Sequence, residues 1–179
     1  MRSLKVPLMR VLLLLVVAVA GTSVTPAWSQ SITTPVPGQW SGGGALGFLS
    51  STPSGTAFAL NFNADYFLNR YFSVGPLAQI AVVGDLSQFG LSGQGKYWID
   101  IPDTGNRLKA VFQAGIGFLH SDRFNSDTSW LIPLGAGLDY AITPRVALTA
   151  TFLLNFTDID TGNGAGAHTM PGLTFGVRF

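Results

Sequence analysis

The sequence predicts an all-β fold, an eight-stranded antiparallel up-and-down transmembrane β-barrel. Apolar and polar residues alternate with a period of two through most of residues 40–179, as they do in half-buried strands. Hydrophobic residues make up 47% of the 179-residue chain and charged residues only 11%, whereas a soluble domain usually carries about 25% charged residues. Short and long breaks between the strands alternate, which is typical of membrane barrels that run up and down.

The start of the chain has the three-part pattern of a signal peptide. Basic residues among the first ten precede an apolar run over 11–20, and the small residues Ala27 and Ser29 follow. We predict a signal peptide over 1–29 that is cleaved after Ser29, with a cut after Ala20 as the second choice. The apolar run is too short for a transmembrane helix, which needs about 20 residues.

The remaining chain is predicted to consist of a short linker and one barrel. Residues 30–39 are rich in Pro and Thr and predict the linker, and residues 40–179 predict the barrel. All nine acidic residues are Asp, and the near-neutral net charge excludes a basic nucleic-acid binder. The absence of cysteine excludes disulfides and thiolate chemistry.

Eight segments carry the alternating pattern that predicts the strands. They are 40–51, 56–67, 71–83, 91–101, 108–119, 130–142, 146–157 and a last strand that ends at Phe179. The breaks at 69–70, 102–107 and 143–145 are predicted to be tight turns at one end of the barrel. The breaks at 85–90, 121–129 and 158–167 are longer and polar, and are predicted to be surface loops at the other end.

The composition of the two faces decides between a membrane barrel and a soluble one. The polar rows hold mostly Gly, Ser, Thr, Asn and Gln, with few charges. A soluble barrel of the lipocalin kind would need a charged exterior, so these rows fit a narrow lumen better than open water. The apolar rows then face lipid, and aromatic residues near their ends form girdles.

Two segments resemble a known family. The last strand places Leu173, Phe175, Val177 and Phe179 at alternate positions and ends in phenylalanine, which resembles the C-terminal signature that the assembly machinery of outer-membrane barrels recognises. The stretch NFNADYFLNRYFSVGP, residues 61–76, is similar to the second and third strands of small outer-membrane β-barrel proteins of the OmpA/OmpX type.

The resemblance covers residues 40–179 and implies a location and partners. It implies a monomer in the outer membrane of a Gram-negative-type bacterium, in contact with outer-membrane lipid and assembled through the C-terminal strand, with no nucleic-acid partner. It also implies a barrel without a periplasmic peptidoglycan-binding domain. Because the family includes adhesins, structural anchors and enzymes, the resemblance itself names no activity.

The function predicted from the sequence is non-enzymatic. The protein would act structurally or through surface interactions of the three predicted loops, which are short and generic in composition. One alternative is a lipid-modifying enzyme, a lipid A acyl hydrolase or transferase, with His120 or His168 at the rim as the base. Another is a lateral route for small apolar molecules through the barrel wall.

The candidate chemical motifs are weak. His120 and His168 are the only histidines, and no nucleophile motif accompanies them, so no catalytic residue is predicted. The segment 158–164 resembles a calcium loop in composition but lacks the terminal Glu of an EF-hand. A polar surface loop explains it equally well, so neither a metal nor a cofactor is predicted.

Charged residues in the lumen rows predict the one cluster that we single out. Centring a hairpin on the turn 102–107 sets Asp100 opposite Lys109. Asp65, Asp139 and Arg178 face inward as well, so the predicted lumen charge cluster is Asp65, Asp100, Lys109, Asp139 and Arg178. Its members are expected to pair with one another, since an isolated buried charge is costly. Side chains fill a barrel of eight strands, so it should not conduct.

Overall fold

A computed structural model describes residues 36–123, 125–162 and 166–179 of the protein. These residues form a closed barrel of eight antiparallel strands in which each strand pairs with the next and β8 pairs with β1. The predicted fold class is therefore confirmed. The described residues include no helix that is long and apolar enough to cross a membrane. The predicted signal peptide over 1–29 lies outside the described residues.

The strands follow one another along the chain with short connections. They are β1 (Trp40–Thr52), β2 (Gly55–Asn69), β3 (Phe72–Val83), β4 (Leu86–Asp100), β5 (Leu108–Asp122), β6 (Ser126–Thr143), β7 (Val146–Asp160) and β8 (Gly166–Arg178). Next to β1, the amide of Gly38 donates to the carbonyl of Phe67 at 2.8 Å, and the amide of Phe67 donates to the carbonyl of Gln39 at 3.0 Å.

The alternation in the sequence separates the two faces of the barrel wall. Side chains of the apolar rows point outward and remain exposed; examples are Phe48, Phe112, Ile116, Phe152 and Phe175. Side chains of the polar rows point into the lumen, where most are buried. A continuous exposed apolar belt of this size does not occur on a soluble monomer, and it fits a lipid-facing surface.

The two ends of the barrel differ in their connections. The terminal end holds the start of β1 and the end of β8, together with the turns 70–71, 101–107 and 144–145. The far end holds the connections from β1 to β2, from β3 to β4, from β5 to β6 and from β7 to β8.

The predicted long loops at 85–90, 121–129 and 158–167 are wrong. Strands extend into each of these segments: β4 begins at Leu86, β5 ends at Asp122 and β7 ends at Asp160. The alternation continues there between polar residues. Gln88 and Ser121, for example, both point inward, and the Gln88 side chain donates to the Ser121 hydroxyl at 3.2 Å. Without an apolar row, the period-two signal disappears from the sequence although the strand continues.

The connection over 101–107, in contrast, is longer than the sequence predicts. The sequence predicts a tight turn there, but seven residues separate β4 from β5. Pro102 has no amide to donate, and Asp103 and Asn106 adopt positive φ angles of 63° and 59°. These conformations are incompatible with a strand, so pairing ends at Asp100 and resumes at Leu108.

The last residue closes the barrel. The backbone groups of Phe179 and Gly42 exchange two hydrogen bonds, at 2.8 and 2.9 Å, next to the β1–β8 ladder. The phenyl ring points outward and is 68% exposed. The backbone of Phe179 therefore adds one more pair to the β1–β8 ladder, and its ring takes no part in that pairing.

Phe179→Ser tests whether that ring acts as an assembly signal. We expect lower levels of folded barrel in the membrane, because the substitution keeps the backbone pair with Gly42 and removes only the last apolar position of the row Leu173, Phe175, Val177, Phe179. Gel mobility of unboiled samples measures the folded fraction. The matched control is Phe72→Ser, which removes an exposed phenylalanine from the same end but from β3. Equal levels in both variants would count against the signal.

Candidate functional site

Besides buried polar side chains such as Gln88 and Ser121, the far half of the lumen contains apolar side chains. They belong to one packed cluster, whose members are Leu49, Ala57, Ala59, Ala81, Leu119, Leu131, Ile159, Ala167 and Met170. Leu131 and Met170 have no exposed surface at all. This packing closes the lumen on the far side within the described residues.

The terminal half of the lumen contains paired charges, and the most completely bonded pair joins β6 to β8. The Arg178 guanidinium donates two hydrogen bonds to the Asp139 carboxylate, from Nε to Oδ2 at 2.7 Å and from Nη2 to Oδ1 at 2.9 Å. The Asp139 side chain is only 2% exposed. The guanidinium also lies 5.3 Å from the ring centre of Trp98, a favourable position for a cation.

A second pair joins β2 to β4. Lys96 Nζ lies 2.8 Å from Oδ2 of Asp65, and both side chains are almost completely buried. The same carboxylate oxygen accepts a hydrogen bond from the Asn63 amide. Lys96 was absent from the predicted cluster, although its inward row position was visible in the sequence.

The third group lies at the edge of the lumen. Lys109 and Asp100 face each other across β4 and β5 and form an ion pair. Asp100 also accepts a hydrogen bond from Arg70 at 3.3 Å and is a quarter exposed. Arg70 lies in a turn and was not predicted to take part.

The five predicted residues therefore do not form a single network in the described structure. They divide into three groups, and Lys96 and Arg70 provide two of the cations. Between these groups lies a cavity of about 50 Å³, lined by Asn61, Gln113 and Thr151 among others. That volume accommodates a few water molecules but no larger solute.

Lys109→Ala is expected to destabilise the barrel more than Arg123→Ala. Lys109 is buried and ion-paired, so its loss should cost about 1–3 kcal/mol, the range for a hydrogen bond to a charged group. Arg123 lies in a far-end turn, where its guanidinium donates to the carbonyl of Pro53. Urea unfolding from lipid vesicles measures the difference, and an equal loss for the two variants would contradict the predicted role of Lys109.

The two histidines lie on the outward face at the far end. His120 Nδ1 is 2.8 Å from the Thr128 hydroxyl across β5 and β6. His168 Nδ1 is 3.0 Å from the Asp158 carboxylate, and both of these side chains are largely exposed. Within the described residues, no serine hydroxyl forms a hydrogen bond with either imidazole. Neither arrangement forms a nucleophile, base and carboxylate in series.

The far-end turns are tied to one another by hydrogen bonds. The Asp160 amide donates to the Asp127 carboxylate at 2.8 Å, and the Asn125 amide donates to the Thr161 carbonyl at 3.2 Å. Within the described residues, no group of three or more His, Cys, Asp or Glu side chains could hold a metal ion. Residues 163–164 of the calcium-like segment lie outside the described residues.

Comparison with solved structures identifies the fold. The crystal structure of Neisserial surface protein A is similar with a TM-score of 0.58 and 19% identity, over 78% of this chain and 94% of that one. The outer membrane protein OprG from Pseudomonas aeruginosa is similar with a TM-score of 0.58 and 11% identity, over 83% and 99%. A designed transmembrane β-barrel is similar with a TM-score of 0.51 and 15% identity, over 82% and 98%.

These similarities define the chain as a small eight-stranded barrel with the fold of outer-membrane barrels, as the resemblance in the sequence predicted. At these identities they show the fold alone. No protein-family model matches the chain, and no curated protein matches it either.

Proposed function

We propose that the protein is a non-enzymatic outer-membrane barrel that acts structurally or through surface interactions of its far end, with the terminal end facing the periplasm. The filled lumen is the observation that carries this proposal. Apolar packing in one half and ion pairs in the other leave no passage through the described barrel. The remaining surfaces are the lipid belt and the two ends. At the far end, hydrogen bonds link Asp160 to Asp127 and Asn125 to Thr161.

Single cysteines test the orientation and the exposure of the far end, since the chain has none of its own. Asp85→Cys lies in a far-end turn and Arg145→Cys in a terminal-end turn. A membrane-impermeant maleimide added to intact cells should label the first and not the second. Labelling of Arg145→Cys alone would reverse the orientation, and labelling of neither would overturn the surface role.

Planar bilayers test the closed lumen. We expect no large, steady currents from the wild-type protein, because the cavity of about 50 Å³ admits only water. Such currents would overturn the closed lumen. They would also weaken the inference that function resides on the outer surfaces of the barrel.

A lipid-modifying enzyme is the second candidate, and the His120–Thr128 contact favours it. The pair lies on the outward face, where His120 is opposite Phe89 of the apolar belt. An imidazole beside a hydroxyl at a lipid surface is an arrangement for activating that hydroxyl. Mass spectra of lipid A from cells with the wild-type protein, with His120→Ala and without the protein decide the matter. A change in acyl pattern that His120→Ala abolishes would replace the main proposal.

The lateral route for apolar molecules has less support. The far half of the lumen would have to receive the molecule, and the cavity beside Leu49, Ala59 and Ala81 has a volume of about 20 Å³, which is too small for one.

A further inference from the structure

The exposed cations of the protein are concentrated at one end of the barrel. Arg70, Arg107 and Arg145 are all exposed, and each lies in a different one of the three terminal-end turns. Three of the remaining cations in the described part, Lys96, Lys109 and Arg178, are ion-paired in the lumen. Asp103 lies within the same three turns, and Asp100, at the end of β4, is paired with Arg70 and Lys109.

The far end has the opposite charge. Its strand ends and turns carry Asp85, Asp122, Asp127, Asp158 and Asp160, and Arg123 is the one cation of the far-end turns. The two surfaces therefore present opposite charges along the barrel axis, separated by the apolar belt.

Aromatic side chains mark the level at which the terminal-end arginines lie. Tyr71, Tyr97 and Tyr140 are exposed on the outward face at this end, together with Trp40. Tyr and Trp concentrate at the level of lipid headgroups, where the ring meets apolar chains and its polar atom meets water. An arginine just beyond such a ring reaches the level of the lipid phosphates.

Short connections hold each arginine close to this level. The turns at 70–71 and 144–145 contain two residues each. The Arg70 guanidinium lies 4.4 Å from the ring centre of Tyr71. The Arg107 carbonyl accepts a hydrogen bond from the Ala141 amide at 2.8 Å, one residue beyond Tyr140. The backbone of each arginine is thus held next to the girdle, and the Arg70 guanidinium, which pairs with Asp100, remains half exposed there.

We propose that Arg70, Arg107 and Arg145 form a binding surface for anionic phospholipid headgroups, such as phosphatidylglycerol, in the leaflet that surrounds the terminal end. Guanidinium groups bind phosphate oxygens through two parallel hydrogen bonds. A cation near a membrane surface attracts anionic lipid with about a fivefold gain per charge. This surface gives the terminal end of the barrel a preference for anionic lipid. The acidic far end does not share that preference.

Lipid retention in reconstituted barrels tests this surface. The wild-type protein, the triple variant R70Q/R107Q/R145Q and the single variants are placed in nanodiscs with equal amounts of phosphatidylcholine and phosphatidylglycerol. Native mass spectrometry then counts the lipids that stay bound. We expect the wild-type protein to retain phosphatidylglycerol preferentially, each single variant to lose part of that preference and the triple variant to lose most of it.

Matched variants separate the surface from net charge and from folding. R123Q removes the same charge from the far end and is expected to leave the preference unchanged. R107K and R145K keep the charge and are expected to retain most of it. Gel mobility of unboiled samples establishes that each variant is folded. Equal preference in the wild-type protein and the triple variant would overturn the proposal, as would a loss in R123Q as large as that in R107Q.

Discussion

Lys96→Met is expected to cause a large loss of stability in this barrel. The substitution leaves the Asp65 carboxylate with no exposed surface and with only the neutral Asn63 amide as a partner. Breaking a buried ion pair in this way costs about 3–5 kcal/mol, because the remaining charge stays buried without compensation. The free energy of unfolding in urea, measured from lipid vesicles, gives the loss directly.

Lys109→Met is the matched control for this result. It removes the same kind of side chain from the same half of the lumen, but Asp100 keeps Arg70 as a partner and is a quarter exposed. Its loss should therefore be smaller than that of Lys96→Met. A double variant, Lys96→Met with Asp65→Leu, should recover much of the lost stability, since no unpaired charge remains. A larger loss for Lys109→Met would reverse this ranking of the two ion pairs.

Gly75→Ala is expected to have the second large effect. Gly75 lies on β3 where β2 approaches closely, and an added Cβ would overlap the carbonyl oxygen of Ala64. Because the obstacle is backbone, no side chain can rotate to relieve the overlap. We expect a loss of about 3 kcal/mol, the upper end of the usual cost of overpacking, and weaker pairing beside the buried Asp65.

Gly93→Ala provides the control in the adjacent strand. Gly93 pairs with Pro76 on β3 and faces outward, and an added Cβ there meets nothing within 4 Å. Alanine in a strand is favoured over glycine by about 0.5–1 kcal/mol, so this variant should be as stable as the wild type or slightly more so. If the two variants had similar thermal stability, the close contact between Gly75 and the carbonyl of Ala64 would not limit the stability of the barrel.

Strand number and face were predictable from the sequence because lipid and lumen impose opposite demands on alternate residues. Phe112 and Gln113 differ so strongly in polarity that their positions in the alternating pattern predict which side chain faces lipid and which faces the lumen. The far-end extensions were not predictable in the same way. Ser87 and Gln88 differ in burial as much as any pair in the belt, yet both are polar. Where the outward face leaves the apolar belt, burial no longer correlates with hydropathy.

The ion pairs were only partly accessible to the same reasoning. Counting residues outward from a turn gives the register of the two strands that the turn joins. This count placed Asp100 opposite Lys109. It cannot relate β2 to β4 or β6 to β8, which have another strand between them. Asp65 with Lys96 and Asp139 with Arg178 are pairs of that kind, made by long side chains that reach across the curved wall. They depend on the diameter and tilt of the closed barrel.

The division of the lumen into an apolar far half and an ion-paired terminal half affects how the chain can enter a bilayer. If the far end enters first, the buried cations Lys96, Lys109 and Arg178 never need to cross the hydrocarbon, where a charge is costly. The aspartates of the far-end tips and Arg123 are the charged side chains that make that crossing. The ion pairs can then form last, on the trailing side, and hold in place a barrel that has already been inserted.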